Sequence, residues 1–303
     1  MNMKRFTEDD CIALVERSPA AVAVHDKDAW LGLFARYNLV EDPVGSAPQF
    51  TGTYDPRVGY RGRDQLSRFF DTFIAPNTIR FHVDRDVVCG LHVIRDLTIE
   101  ITMSPNVVVR VPVHLLYELT IEEEELKIFR LAAHWELWPM LKQQIASGWP
   151  FLRVGGASAV RMWRYQGIAG MGGFMRALSS IGAPGKAQIE KFGRMFNQRD
   201  VAGLQSLFAS SDITIAFPHG RPNLSIAECA REGGEMLFTK LLAAGNVVSA
   251  TVAYQREDHL YQGVALFELN RRSLRVVALT FYWADPPGSL AISQAGQSAT
   301  YGI

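Results

Sequence analysis

The apolar positions of this chain change period repeatedly, and each change marks an element. Ile12, Val15, Pro19 and Val22 recur at helical spacing between residues 9 and 24, with Pro19 expected to kink or restart the helix. In "HDKDAWLGLFAR", Asp26 stands at the N-cap of a second short helix that buries Trp30, Leu33 and Phe34. A short strand then ends in "VEDPVG", ahead of a loop rich in Gly, Pro and Tyr over 45–62. "GRDQLSRFFDTFIAP" has the spacing of a third amphipathic helix, closed by Pro76. Beyond it the period drops to two. Leu97, Ile99, Ile101 and Met103 share one face of a strand, as do Val109, Val111, Val113, Leu115, Tyr117 and Leu119, and "LKIFRLAAHWEL" gives the last strand. Helices first and antiparallel strands after them predict an α+β fold, with the helices on one face of a curved sheet.

The second half repeats this plan. "NQRDVAGLQSLFASSDITIAFPHG" follows "AVHDKDAWLGLFARYNLVEDPVG", with Asp200 in the place of Asp26, Leu207-Phe208 in that of Leu33-Phe34, and Pro218-His219-Gly220 in that of Pro43-Val44-Gly45. "SIAECAREGGEMLFTKLLAAG" supplies a third helix, and three strands follow, the last ending in Tyr282-Trp283 as the first half ends in His134-Trp135. Two copies of one domain are the economical reading, at 1–140 and 185–303. The intervening 141–184 is rich in glycine and aromatic residues, and from Leu137 to Ile189 there are six Lys/Arg and no acids. Such a segment suits a pair of linker helices packed across both domains, a lid, or peripheral contact with an anionic membrane.

Composition narrows the function classes. At 303 residues with 48% apolar side chains, the chain can bury two cores. Its 31 basic and 31 acidic residues cancel, so no global field draws nucleic acid. Three dispersed cysteines fit a reducing compartment, no long apolar span appears, and the acidic start predicts no secretory leader. A cytoplasmic protein is expected. The seven histidines never pair at i, i+4, and no glycine-rich phosphate loop is present, so neither metal nor cofactor is expected.

The candidate chemistry lies at "VEDPVG". Pro43 fixes the backbone and ends the strand, leaving Asp42 free to turn into the fold or to cap its own turn, while Glu41 points the other way. With "HDKDAWLGLFARYNLVEDPVG", "GRDQLSRFFDTFI" and "AAHW", residues 10 to 138 resemble the ketosteroid isomerases of the nuclear transport factor 2-like superfamily, and 185 to 286 do so more faintly. The resemblance implies two cone-shaped domains, each with about three helices on a strongly curved mixed sheet around an apolar pocket. It also implies that Asp42 is a general base moving a proton beside a ketone. In those isomerases an Asp base faces a Tyr and a protonated Asp that stabilise the enolate oxygen. Here Ser18 falls at the tyrosine position, and Tyr117 stands for the aspartate if the turn Glu122–Glu125 absorbs one insertion.

The expected catalytic set is therefore Asp42, Tyr117 and Ser18, in a pocket lined by Trp30, Phe34, Phe70, Leu115, Leu119 and Trp135. His114, on the strand face away from Tyr117, is expected at a dimer or domain interface. The second copy carries Phe217 where the first has Asp42, so it has lost the acid. Fusion lets two copies cover each other's outer faces, and a homodimer is a further arrangement open to the chain. Three functions follow: a ketosteroid isomerase-like enzyme on a small apolar ketone of steroid or polyketide type, a non-catalytic carrier of lipid or steroid, or a scaffold whose basic linker meets a membrane or partner.

Overall fold

The computed structural model describes residues 6–51, 53–55, 59–61 and 64–284. Helix α1 (Glu8–Ala23) starts on a capping box, in which the Thr7 hydroxyl accepts from the Asp10 amide and the Asp10 carboxylate from the Thr7 amide. It continues through Pro19 as one helix, so of the two expected effects a restart is excluded. Asp26 caps α2 (Lys27–Gly32) as predicted, accepting from Ala29 at 2.9 Å. Strands β1 (Phe34–Glu41), β2 (Gln49–Thr51), β3 (Thr53–Asp55) and β4 (Gly59–Arg61) lead to α3 (Asp64–Phe69), which continues as a π turn over Phe70–Ile74. Four long strands follow: β5 (Thr78–Cys89), β6 (His92–Ser104), β7 (Val107–Glu122) and β8 (Glu125–His134). The sheet order is β2-β1-β8-β7-β6-β5, antiparallel except where β1 runs parallel to β8. Register shifts within β5–β6, β6–β7 and β7–β8 mark bulges that bend the long strands around the helices.

Helices α4 (Leu137–Ala146) and α5 (Trp149–Met175) come next, parted at Gly148 (φ 69°); Gly167 breaks the helical conformation within α5. Then α6 (Gly182–Asn197), α7 (Val201–Leu207), β9 (Thr214–Ala216), β10 (Leu224–Ser225), α8 (Ile226–Arg231), β11 (Glu235–Ala244), β12 (Val247–Arg256), β13 (His259–Leu269) and β14 (Val276–Trp283) repeat the first half. The second sheet has the order β10-β9-β14-β13-β12-β11, strand for strand that of the first. One expectation is corrected here, because 225–245 is not a single helix. Gly233 and Gly234 take positive φ, and a side chain at Gly234 would strike the Gln255 carbonyl oxygen at 2.4 Å. The helix therefore stops at Arg231, and "EMLFTKLLAA" pairs along β12 despite its helix-favouring Met, Leu, Lys and Ala, because sheet pairing outweighs local propensity.

Each sheet covers its helices with one face, and the outer faces meet. Val44, Ile94, Leu116, Ala132, Val264 and Tyr282 belong to the apolar cluster that joins the halves. Backbone meets backbone at one edge of this contact, where Gly45 (φ 93°) and Gly245 (φ 59°) lie so close that a side chain on either would overlap the other's Cα. Polar groups inside the contact are paired. His114, fully buried, sits 2.8 Å from Ser249 Oγ through Nδ1 and 3.0 Å from Thr251 Oγ1 through Nε2. Thr251 spends its hydroxyl proton on Asp96 at 2.6 Å, so Nε2–H must donate to Thr251 while Nδ1 accepts from Ser249. Lys240 closes the network onto Asp96 at 2.5 Å. Burial pushes the His114 pKa down to about 3, which keeps the ring neutral in this role. Among the described residues, no helix is long and apolar enough to cross a membrane.

Candidate active site

Asp42 is held at the end of β1 by its neighbours on both sides. Glu41 turns outward and is gripped by Arg130, with contacts of 2.6 and 2.9 Å. Past the cis Asp42–Pro43 bond, the Val44 amide donates to the Ala133 carbonyl at 2.9 Å and fixes the loop against β8. Strand alternation then leaves Asp42 on the inner side. Trp135, one residue beyond β8, donates its indole N–H to Asp42 Oδ1 at 2.5 Å. Asp42 keeps some accessible surface as a residue, yet protein encloses its carboxyl. That desolvation pushes its pKa up to about 6, with the Trp135 hydrogen bond pulling the other way. A carboxylate so tuned is ionised for the most part at neutral pH and is a stronger base than an ordinary aspartate.

The Asp42 carboxylate faces a small hollow, partly open to solvent, lined also by Ser46, Gln49, Phe69, Phe73, Gln166 and Phe174. Its roof is α5. Phe174 stacks on Phe73 with centroids 5.2 Å apart, the Ala47 amide donates to the Gly173 carbonyl at 2.9 Å, and Gln166 reaches Thr72 at 3.5 Å. Gly173 permits the close approach, since a Cβ there would come within 2.6 Å of the Ala47 methyl. With α5 seated, the hollow has room for little more than a water molecule, far short of a drug-sized ligand.

Of the residues expected to line the pocket, Trp30, Phe34, Phe70, Leu115, Leu119 and Trp135 all belong to the first core cluster together with Tyr117. Only Asp42, among all nine candidates, lines the hollow. Trp30 packs edge-on to Phe34 at 4.8 Å and tilted against Phe70 at 5.6 Å, within the same core cluster as Leu115 and Leu119. Trp30 also stacks on Phe69, a lining residue, with centroids 6.2 Å apart. Ser18 is buried and accepts from the Trp30 indole N–H at 3.1 Å. Its hydroxyl also acts on the Tyr117 phenol, whose pKa burial raises while the Arg95 charge and Ser18 lower it. The structure thus links Ser18 with Tyr117, and Asp42 with Trp135.

Sequence reasoning missed the roof residues Gln166 and Phe174, which lie more than a hundred positions from Asp42 and carry no motif. It also missed Arg95, for which a signal existed: a charge at an inward position between Val93 and Leu97. Arg95 is buried and bidentate to Asp86 at 2.7 and 2.8 Å, with Nη1 left without a hydrogen-bond partner.

No family model and no curated protein matches the sequence. Solved structures do. A Δ5-3-ketosteroid isomerase from Mycobacterium sp. is 28% identical over 42% of this chain and 92% of its own, with a TM-score of 0.34. The Mycobacterium tuberculosis protein RV0760c in complex with estradiol-17beta-hemisuccinate is 21% identical over 43% and 96%, with a TM-score of 0.33. An M. tuberculosis LEH-like epoxide hydrolase is 17% identical over 50% and 96%, with a TM-score of 0.35. The chain is similar to ketosteroid isomerases.

The strand plan of the first half recurs in the second, with an aromatic ring in the place of Asp42. The His219 amide donates to the Phe281 carbonyl at 2.7 Å as Val44 does to Ala133, and Phe217–Pro218 is cis as Asp42–Pro43 is. Phe217 then occupies the position of Asp42 and meets Trp283, the counterpart of Trp135, with centroids 4.7 Å apart. Phe196, Tyr254 and Phe281 enclose it. Among the described residues, no three His, Cys, Asp or Glu side chains gather where they could hold a metal ion.

Proposed function

We propose that the first half binds a small apolar ketone of steroid or polyketide type and that Asp42 moves a proton within it. The observation that carries this reading is a carboxylate with its pKa raised to about 6 by burial, at the wall of a small hollow that it shares with Phe69, Phe73 and Phe174. As base, Asp42 takes a proton from the carbon next to the carbonyl, and the electron pair moves onto the carbonyl oxygen as an enolate. The same carboxyl returns the proton two carbons away, so the double bond shifts and nothing else is consumed. Trp135 orients the carboxylate. Tyr117 is the donor proposed for the enolate oxygen, with Ser18 fixing the phenol and Arg95 making it more acidic than burial alone would. Admission of a steroid-sized substrate requires α5 to lift.

The test is isomerisation of an unsaturated ketosteroid by wild type, Asp42→Asn and Tyr117→Phe. A fall of at least a hundredfold in Asp42→Asn, with binding retained, supports the base; equal rates discard it. A second reading, a carrier without turnover, is favoured by Tyr117 lying outside the hollow. Tight binding with no conversion by wild type would establish that reading instead. The division into a fused pair, 1–140 and 185–303 joined by 141–184, is part of the same proposal, and the identical strand orders support it.

A further inference from the structure

The roof helix has a second face, and that face is built the wrong way round for water. Along the first part of α5, Trp149, Arg153, Gly156, Val160 and Trp163 are exposed, with Arg164, Ala157 and Ala159 exposed beside them. Their spacing of four, three, four and three residues puts them on one stripe. A solvated helix stripe is ordinarily charged in both signs and polar. This one has Trp149 72% exposed, and Val160 and Trp163 each 61% exposed, with arginine as its only charge. Helix α4 repeats the pattern at Trp138, Lys142 and Ile145, where the Lys142 ammonium lies 5.6 Å from the centre of the Trp138 ring.

Charge sorts the same way. Residues 137–189 hold six basic side chains and no acid, which leaves 25 basic and 31 acidic residues in the rest of a chain that is neutral overall. Lys186 is neutralised by Glu136 at 2.7 Å, but Lys142, Arg153, Arg164 and Arg176 are exposed and cationic. Tryptophan with arginine or lysine, and no carboxylate, is the side-chain set that suits the interface of an anionic bilayer: indole rings sit among the headgroups while the cations meet lipid phosphates and carboxylates. Among the described residues, none covers these rings.

We propose that the outer face of α4 and α5 docks on anionic phospholipid membranes. Because the inner face of α5 carries Gln166, Gly170 and Phe174 over the hollow, docking places the lipid phase beside its roof. Lipid attachment itself does not depend on the Asp42 chemistry.

The experiment is co-sedimentation of the full chain with vesicles of phosphatidylcholine alone and with about a third phosphatidylserine, alongside Trp fluorescence. Wild type is expected to pellet with the anionic vesicles, to blue-shift, and to release as salt rises. Each arginine near such a surface is worth about fivefold in partitioning, so Arg153→Gln/Arg164→Gln should lose roughly twenty-five-fold. Trp149→Ser/Trp163→Ser, which alters only exposed positions, should abolish binding while leaving the circular dichroism of the fold unchanged. Asp42→Asn should bind vesicles like wild type, so failure of the catalytic reading and failure of this one are told apart. Wild type remaining in the supernatant with anionic vesicles overturns the proposal. So does equal binding by the paired variants, or a dimer in sedimentation velocity that Trp149→Ser/Trp163→Ser dissolves, which would assign the face to a second copy.

Discussion

Replacing Asp42 by asparagine should make the protein more stable at neutral pH, by an amount the structure sets. Burial raises the carboxyl from its ordinary 3.8 to about 6. Between those values the folded state holds a proton that the unfolded state has lost, so stability falls as pH rises through the window. Above about 6 the full penalty for an ionised Asp42 is present, roughly 3 kcal/mol at 1.36 kcal/mol per tenfold change. Asparagine has nearly the same shape, and its Oδ1 still accepts from Trp135, but it carries no charge to desolvate. Urea unfolding followed by tryptophan fluorescence should show Asp42→Asn ahead by up to about 3 kcal/mol at alkaline pH. The gap should narrow as pH falls through 6 and vanish below 3.8. Histidines act in the opposite sense. His114 and His134, pushed down to about 3 and about 4 by burial, must stay neutral in the fold, so both proteins lose stability as pH drops below 6.5. That loss is common to the two and cancels in their difference. A variant less stable than wild type at pH 8, or a gap that does not change with pH, would refute the reasoning.

Three further substitutions probe the same frame. Trp135→Phe removes the donor to Asp42; a hydrogen bond to a charged group is worth about 1.5–3 kcal/mol, so the carboxyl should titrate roughly one to two pH units higher, read by carboxyl NMR. Arg95→Met removes a buried cation from the half-buried Asp86 and should cost roughly 1.5–3 kcal/mol in denaturant unfolding; a parallel rise in the Tyr117 pKa, followed by phenolate absorbance, would separate its electrostatic effect from simple packing loss. Phe217→Ala opens a cavity among Phe196, Tyr254, Phe281 and Trp283 and should cost about 3–5 kcal/mol by urea unfolding; a cost under about 1 kcal/mol would mean the second site is not tightly filled.

The α+β plan was legible because burial writes a period into the sequence. Leu115, Tyr117 and Leu119 do share the inner face of β7, and His114 does turn to the other half, as alternation alone predicts. Asp26 and Asp200 cap their helices as read. What escaped lay in long-range partnership. Residues 235–244 carry helix-forming side chains, and only their pairing with β12 makes them a strand. The lining of the hollow was misplaced for a similar reason. Trp30, Phe34, Phe70, Leu115 and Leu119 were expected there because they are large, apolar and inward, but inward residues on adjacent elements touch each other before they touch a cavity. The roof comes from α5, whose Phe174 meets Phe73 across a hundred residues with no local periodicity to announce it.

The second half supplies an internal comparison for the first. Strand order, the backbone bond after the terminal strand and the position of the tryptophan are the same in both. The fold therefore closes perfectly well with an aromatic ring at this position, as Phe217 shows by packing edge-on against Trp283 and Phe281. Asp42 in the equivalent place makes no packing of that kind and carries an ionisation cost of roughly 3 kcal/mol at neutral pH, a large share of a typical domain stability of ~5–15 kcal/mol. A packing role does not account for a residue that the same architecture replaces with better packing elsewhere in the same chain. The hollow beside Asp42 follows the same logic, since its counterpart position is filled. Desolvation retained at one of two equivalent positions points to use, and an enclosed carboxylate of raised pKa is the kind of group the proton exchange proposed above requires.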